Sequence, residues 1–393
     1  MSELLIGMVG DLLINRDEPD EVFAATGDLL RAPDVLFGNL EGAYTDAPSC
    51  APGTTAVISG KARNLDAYAR AGFNVVSLAN NHILDVGSEA MLENRRRLNA
   101  QGVATCGAGE NLAAARAPAI VEAKDLRIAV LGYASIFPFG YEAYEHIPGL
   151  APIRAYDLWR PAIANIHQPG AAPAASTVPD DGDMARLTED LHKARGDCDL
   201  LIATFHWGIQ GRPYHLTDHE RRTARFAIDN GADMVVGHHH HTIRGMEWYK
   251  GKPILYGLGH FIFDFVLDVT KEEYERQLKE FGADSAWESP YVTGPRDGWP
   301  YLPMHADMRM SMLAWAQASR EGVHAIGFLP CRLAPDGVVH PLAPGSDEWD
   351  ELKAYFDTAN ASQRLNGRAV HDPVRRVAGH DVLWIEPLGD MEP

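Results

Sequence analysis

Asp11; Asn39 and Glu41; Asn80, Asn81 and His82; His206; the run His238, His239, His240 and His241; and His260 each stand directly after an apolar stretch. Carboxylate, amide oxygen and imidazole together suit a hard or borderline divalent cation such as manganese, zinc, iron or calcium. Cysteine does not compete, because Cys50, Cys106, Cys198 and Cys331 are scattered without paired spacing and read as reduced thiols. Taken singly, Asp11 reads equally as a turn cap, Asn81 as a turn residue and a lone histidine as a structural group. Four successive histidines closing an apolar run are different, and with the other positions they point to a metal or acid/base site. Carboxylates near the histidines suit proton transfer. His82 has Asp85 three residues on and His260 has Asp264 four residues on, so a carboxylate can orient and charge each imidazole.

These residues need elements that bring them to one edge. Apolar runs at 4–9, 35–38, 73–78 and 127–132 read as buried strands, with helical spacing at 65–71 and 88–101 between them. The rhythm returns at 200–205, a helix over 218–230, 234–237 and 253–258. Strand alternating with helix predicts a layered α/β fold, in which the ends of the strands share an edge and the ligand site lies there. Pro161, Pro169, Pro173 and Pro179 mark 159–183 as a loop insertion over the core. After Asp264 the pattern weakens to a charged helix at 271–281 and an aromatic and methionine-rich stretch at 299–315. The expectation is one domain over 1–393 with a lid-like insertion at 265–320.

Lysine and arginine number 35 against 54 aspartates and glutamates, a net charge of −19 in 393 residues. That balance disfavours a nucleic-acid surface. No span of roughly 18 apolar residues occurs, and 1–7 runs straight into an apolar strand without a basic flank, so a cytoplasmic protein with no membrane partner is expected.

Taken in order, Gly10-Asp11, Gly38-Asn39-Leu40-Glu41-Gly42, Ser77-Leu78-Ala79-Asn80-Asn81-His82 with Asp85 and Gly87, Gly107-Ala108-Gly109, His206-Trp207-Gly208, Gly231-Ala232-Asp233 with Gly237-His238-His239, and 256–263 resemble the CapA-like family. That family is named for poly-γ-glutamate capsule synthesis and is similar to the calcineurin-like metallophosphoesterases. The resemblance implies a four-layer α-β-β-α sandwich with a metal site at the carboxyl ends of the strands. It makes Asp11, Glu41, Asn81, His206 and two of the four histidines the ligands, with His82 as the acid/base group. The family has proline where His240 stands, so His238, His239 and His241 are the matching positions, His239 and His241 foremost.

Departures from the wider superfamily shape the functional expectation. Leu13 stands where phosphoesterases carry a histidine, and Asn39 with Glu41 replaces their bridging aspartate. One divalent ion, calcium, manganese or zinc, is therefore expected in place of two. Gly259-His260-Phe261 replaces Gly-Asn-Phe and adds an imidazole, while Gln210 replaces a glutamate. The combination resembles the lasso-peptide epimerase branch, which implies inversion of a Cα centre in a precursor peptide by Asp11, His82, Asp85, His239, His260 and Asp264. Trp207, Trp299, Tyr301 and Met308, with neighbouring methionines, are the expected peptide-binding wall. A metal-dependent phosphoesterase and a polyglutamate accessory protein are the alternatives.

Overall fold

The computed structural model describes residues 3–47, 57–160, 174–266 and 298–388, together with 50 and 276. The first half alternates β1 (Leu4–Leu13), β2 (Val35–Leu40), α1 (Asp66–Ala71), β3 (Val75–Ser77), α2 (Ser88–Ala100) and β4 (Ala104–Cys106). Then follow β5 (Ala119–Ala123), β6 (Leu126–Ala134), α3 (Asp181–Arg195), β7 (Leu200–His206), α4 (Asp218–Asp229), β8 (Met234–His238), β9 (Met246–Tyr249), β10 (Lys252–Leu255) and β11 (His260–Phe263). The last elements are β12 (Met310–Ser319), β13 (Gly322–Leu333), β14 (Val339–Pro341), α5 (Asp347–Ser362), β15 (Gly367–Val377) and β16 (His380–Pro387).

Among the described residues the strands form two large sheets. One has the order β15-β16-β13-β12-β1-β2-β3-β4, with β11 beside β1 and β14 beside β13; the other has the order β9-β10-β8-β7-β6-β5. Side chains alternate across a strand, and the second sheet uses both faces. Ile128, Val130, Leu200, Ile202, Met234 and Val236 join the large core shared with the first sheet, whereas Ala129, Leu131, Leu201, Ala203, Phe205 and Val235 meet Leu187 and Leu191 of α3 and Ala224 and Ala227 of α4. Helices α2 and α5 pack on the first sheet, against β4 and against β13 and β15. The result is the expected four-layer α/β sandwich. Each buried aliphatic or aromatic side chain contributes about 1.5–3 kcal/mol.

β1 explains why the site forms where it does. Its N-terminal half pairs antiparallel with β12, Leu4 opposite Ala318 through Met8 opposite Ala314, and its C-terminal half pairs parallel with β11, Asp11 opposite His260. Register shifts fall between Met8 and Asp11 on the β2 side and between Asp11 and Leu12 on the β11 side. Such irregularities bend a strand and re-aim a side chain. A Cβ on Gly10 would lie 1.8 Å from the Gly259 carbonyl oxygen, so only glycine allows this approach.

The expected strand at 253–258 divides in two. β10 belongs to the second sheet and β11 to the first, and the chain crosses between them through Gly257 and Gly259, the latter at φ 72°. The crossing carries His260 to Asp11.

Two further expectations are corrected. The lid-like insertion 265–320 does not reach 320, because β12 is an integral strand beside β1, its methionines and Trp315 buried; 267–275 and 277–297, with the expected helix at 271–281, lie outside the described residues apart from 276. The loop insertion 159–183 contains an antiparallel ribbon, Ala155–Arg160 with Ala174–Pro179, and its end is the start of α3, where the Asp180 side chain accepts from Asp183 N. Residues 161–173 lie outside the described residues. No helix among the described residues is long and apolar enough to cross a membrane.

Candidate metal centre

Asp11 at the β1 irregularity, Asn39 and Glu41 at the end of β2, His206 ending β7, the histidine run leaving β8 and His260 opening β11 converge between the two sheets. Asp11, Asn39, Glu41 and His260 are fully enclosed and His206 nearly so. Three overlapping groups have ligand atoms within 4.8 Å of one another: Asp11, His241 and His260; Glu41, His239 and His241; Asp11, Glu41 and His206. His241 Nδ1 lies 3.2 Å from Asp11 Oδ2, and its Nε2 lies 3.7 Å from Glu41 Oε1. His206 Nε2 lies 3.8 Å from the same glutamate oxygen, 2.7 Å from Asn81 Oδ1 and 3.1 Å from His239 Nδ1. His238 Nδ1 lies 3.5 Å from Asp11 Oδ1, which accepts a 2.8 Å hydrogen bond from Asn39 Nδ2.

Whether these residues fit a cation can be judged from their unpaired atoms. Asp11 Oδ2, both Glu41 oxygens, His241 Nδ1 and His260 Nε2 are buried without hydrogen-bond partners. Buried polar atoms left unpaired cost about 1–3 kcal/mol each, more for charged groups, so a cluster of orphaned acceptors facing one another is a misfit for an empty core and a fit for a divalent cation.

Electrostatics agree. Burial would raise the Asp11 carboxyl, but His238 and His241 beside it hold it well below the usual carboxylate range. Glu41 is pushed well up by burial and then by repulsion from Asp11 and Asp85. Burial, with neighbouring imidazoles, drives His206, His239 and His260 well below the usual histidine range. Neutral imidazoles offer the lone pairs a metal requires, and a cation would favour ionised Glu41.

The local backbone settles which histidines face the cluster. His239 and His241 take left-handed conformations at φ 90° and 57°, a costly geometry for a residue with a Cβ. His240 turns away, its Nε2 2.8 Å from Glu220 Oε1. Glycines flank it: a Cβ on Gly208 would come 2.2 Å from its Nε2 and one on Gly257 2.9 Å from its Nδ1. The other Glu220 oxygen accepts from Thr217 N and Oγ1 in the capping box of α4.

His82 sits at the edge of the cluster with 15% of its side chain exposed, Nε2 4.0 Å from Glu41 Oε1. Its Nδ1 is 2.7 Å from Asp85 Oδ2, which also accepts from Ile58 N at 2.8 Å, while Asp85 Oδ1 accepts from Tyr141 Oη at 3.0 Å. A carboxylate so held fixes the ring and its tautomer.

Other expected partners are corrected. Asp264 does not serve His260; it binds the Arg16 guanidinium, with Nε at 2.8 Å, and accepts from Asn15 N at 3.0 Å. Four residues along an extended strand separate two side chains by about 13 Å, so this pair was out of reach. His260 Nδ1 instead meets the Met308 carbonyl at 3.2 Å, and its ring stacks on His241 at 4.4 Å. Trp207 points to the opposite face from His206, stacked on Phe205 in the outer core and donating to the Tyr256 carbonyl. Met308 is core as well, while Trp299 and Tyr301 lie under the Arg309 and Arg16 guanidinium groups. Leu13 is buried apolar core. Tyr141 and the Glu220 to His240 pair were not foreseen; Thr217 with Glu220 was readable as a capping box, but nothing along the chain links it to His240.

Residues 6–265 match the model of the bacterial capsule synthesis protein PGA_cap family. The chain belongs to this family. The match ends one residue beyond Asp264 and takes in every residue of the cluster, leaving β12 to β16 outside it. The chain is similar to the capsule biosynthesis protein CapA of Bacillus anthracis, 27% identical over 69% of this chain and 62% of that one. It is similar to the PGA biosynthesis protein CapA of Bacillus subtilis strain 168, 24% identical over 67% of this chain and 62% of that one. It thus spans a little over three fifths of these relatives. A solved structure of the calcineurin-like phosphoesterase YfkN from Bacillus subtilis aligns at 9% identity over 92% of this chain and 98% of that one, with a TM-score of 0.33.

Proposed function

We propose that this PGA_cap family member is a metal-dependent acid/base enzyme that inverts a Cα centre in a peptide, with a lasso-type ribosomal precursor as the substrate. The observation that carries the reading is that two differently held imidazoles border one buried carboxylate cluster, His82 at Glu41 and His260 beside Asp11. Asp11, Glu41, His206, His239 and His241 would hold a calcium, manganese or zinc ion, which supplies a Lewis acid for a substrate carbonyl. His82, with Nδ1 engaged by Asp85, has Nε2 for proton transfer. One imidazole takes the Cα proton, the bond's electron pair moves onto the adjacent carbonyl as an enolate, and the other imidazolium returns a proton to the opposite face. No atom is gained or lost.

A cytoplasmic site of action belongs to this proposal and is supported by the free, buried thiols of Cys106 and Cys331. Poly-γ-glutamate, the polymer that the CapA-like resemblance suggests, would meet a chain of net charge −19.

One observation favours a second reading. Each two of the three donor groups share one residue, Asp11, Glu41 or His241, an overlap that suits a metal-dependent phosphoester hydrolase. Incubating the protein with precursor peptides and, separately, an aryl phosphate, each with and without manganese, tests both. Metal-dependent appearance of a D-residue supports the epimerase; aryl phosphate cleavage with all residues remaining L contradicts it and favours the hydrolase.

A further inference from the structure

A cavity of about 440 Å³ opens beside the turn that carries His82 and Asp85, walled by Leu84, Val86, Tyr141 and Pro148 and rimmed by Phe139 and Ile147. Leu84, Val86 and Tyr141 are buried, while Phe139 is fully exposed and Ile147 53% exposed. Large apolar side chains gathered at a cavity mouth mark a binding surface more than a chance of packing, and the volume lies within the range of small-ligand sites, roughly 300–1,000 Å³.

We infer that this cavity is a substrate subsite that takes an apolar side chain of the peptide. The inference rests on the peptide reading above and deepens it. Continuity with the acid/base pair is one argument. Leu84 and Val86 flank Asp85 in sequence, and the Tyr141 ring forms the wall while its hydroxyl donates to Asp85 Oδ1. A group resting on that ring is separated by one hydrogen bond from Asp85 and by two from His82 Nδ1. Charge is the other argument. Glu142, whose carboxylate accepts from Gly140 N at the cavity wall, is held below the usual carboxylate range because hydrogen bonds from backbone N–H groups and from Tyr144, with the charge of Arg154, outweigh its burial, and Glu145 stands exposed nearby with His146 3.7 Å away. Two carboxylates on this loop select against an acidic polymer and admit a neutral apolar segment.

The test uses the whole chain and a blocked tripeptide, N-acetyl-alanyl-(5-fluorotryptophanyl)-alanine amide, followed by fluorine NMR, with the glutamate-centred tripeptide as competitor. Binding of the fluorotryptophan peptide is expected to weaken about five- to tenfold in Phe139→Ser and Ile147→Ser, exposed positions where folding is not at stake; melting curves verify this. The glutamate peptide is expected to compete poorly. Equal affinity in wild type and both variants, or preferential binding of the glutamate peptide, overturns the subsite. The reaction is read separately: variant-sensitive binding without D-residue formation supports the subsite while removing the epimerase, and D-residue formation insensitive to both variants does the reverse.

Discussion

At the scale of single residues, the account depends on how each imidazole is held. Asp85 spends both oxygens on His82, Ile58 N and Tyr141, so it orients His82 and is not available as a metal donor. His82→Ala is therefore expected to lower turnover about 10²- to 10⁴-fold while the bound-metal content, measured by elemental analysis, stays at the wild-type level. Loss of metal together with turnover would make His82 a ligand instead. Spacing in the sequence identified this pair but misassigned the other. His82 and Asp85 share a turn, where three residues close a hydrogen bond, whereas His260 and Asp264 are separated along an extended segment; the same short interval means contact in one conformation and distance in the other. Spacing alone did not say which of the four histidines turns away, because the choice depends on Glu220, 20 residues away; it was the family resemblance that set His240 apart.

That buried pair carries its own prediction. Burial would raise Glu220, but His240 and Thr217 bring it down to about 2, and burial lowers His240 to about 4. An unfolded histidine takes up its proton near pH 6.5 and an unfolded glutamate near pH 4.3, so over this acid range the unfolded chain binds more protons than the folded one. Stability is expected to fall as pH drops from about 6.5 to 4 through His240 and on toward 2 through Glu220. In Glu220→Gln the loss between about pH 4.5 and 2 should shrink, as read by thermal melting across pH. An unchanged acid limb would mean that Glu220 is not ionised in the fold.

Among the elements, β1 decides the site. Runs of buried apolar residues made its position and those of β2, β7 and β8 legible, and a parallel sheet demands such runs. The crossing from β10 to β11 left no periodic signal, because a strand that changes sheets is one apolar stretch interrupted only by Gly257 and Gly259. β12 escaped notice for a related reason: its methionines and Trp315 read as an adaptable binding wall, although burial on both faces of a central strand calls for the same residue types. Gly10→Ala tests the close approach. With a Cβ 1.8 Å from the Gly259 oxygen, β1 and β11 must separate, and the expected cost is about 1–3 kcal/mol of stability together with weakened metal binding. Unaltered melting and metal affinity would contradict the role given to this contact.

For the molecule as a whole, two sheets bring carboxylates and imidazoles from distant segments into a core that leaves their acceptors unpaired. A cation that binds the folded chain and not the unfolded one stabilises it by about 2.7 kcal/mol at a hundredfold excess over its Kd. Chelation is thus expected to lower the melting temperature and manganese or zinc to restore it, and the effect should disappear in Glu41→Gln with His241→Ala. Strand ends and a layered α/β fold could be read from the sequence because hydrophobic periodicity encodes them locally, whereas the four-layer order came from the family resemblance; the substrate wall could not be read, since Trp207 and His206 are neighbours in the chain yet face opposite sides of one strand. The most direct measurement of the central claim is incubation of the metal-loaded protein with precursor peptides in deuterium oxide, read by mass spectrometry with site localisation. Gain of one deuterium at a single Cα, absent after chelation and in His82→Ala, is the expected result; retention of every Cα proton in a peptide that binds would contradict it.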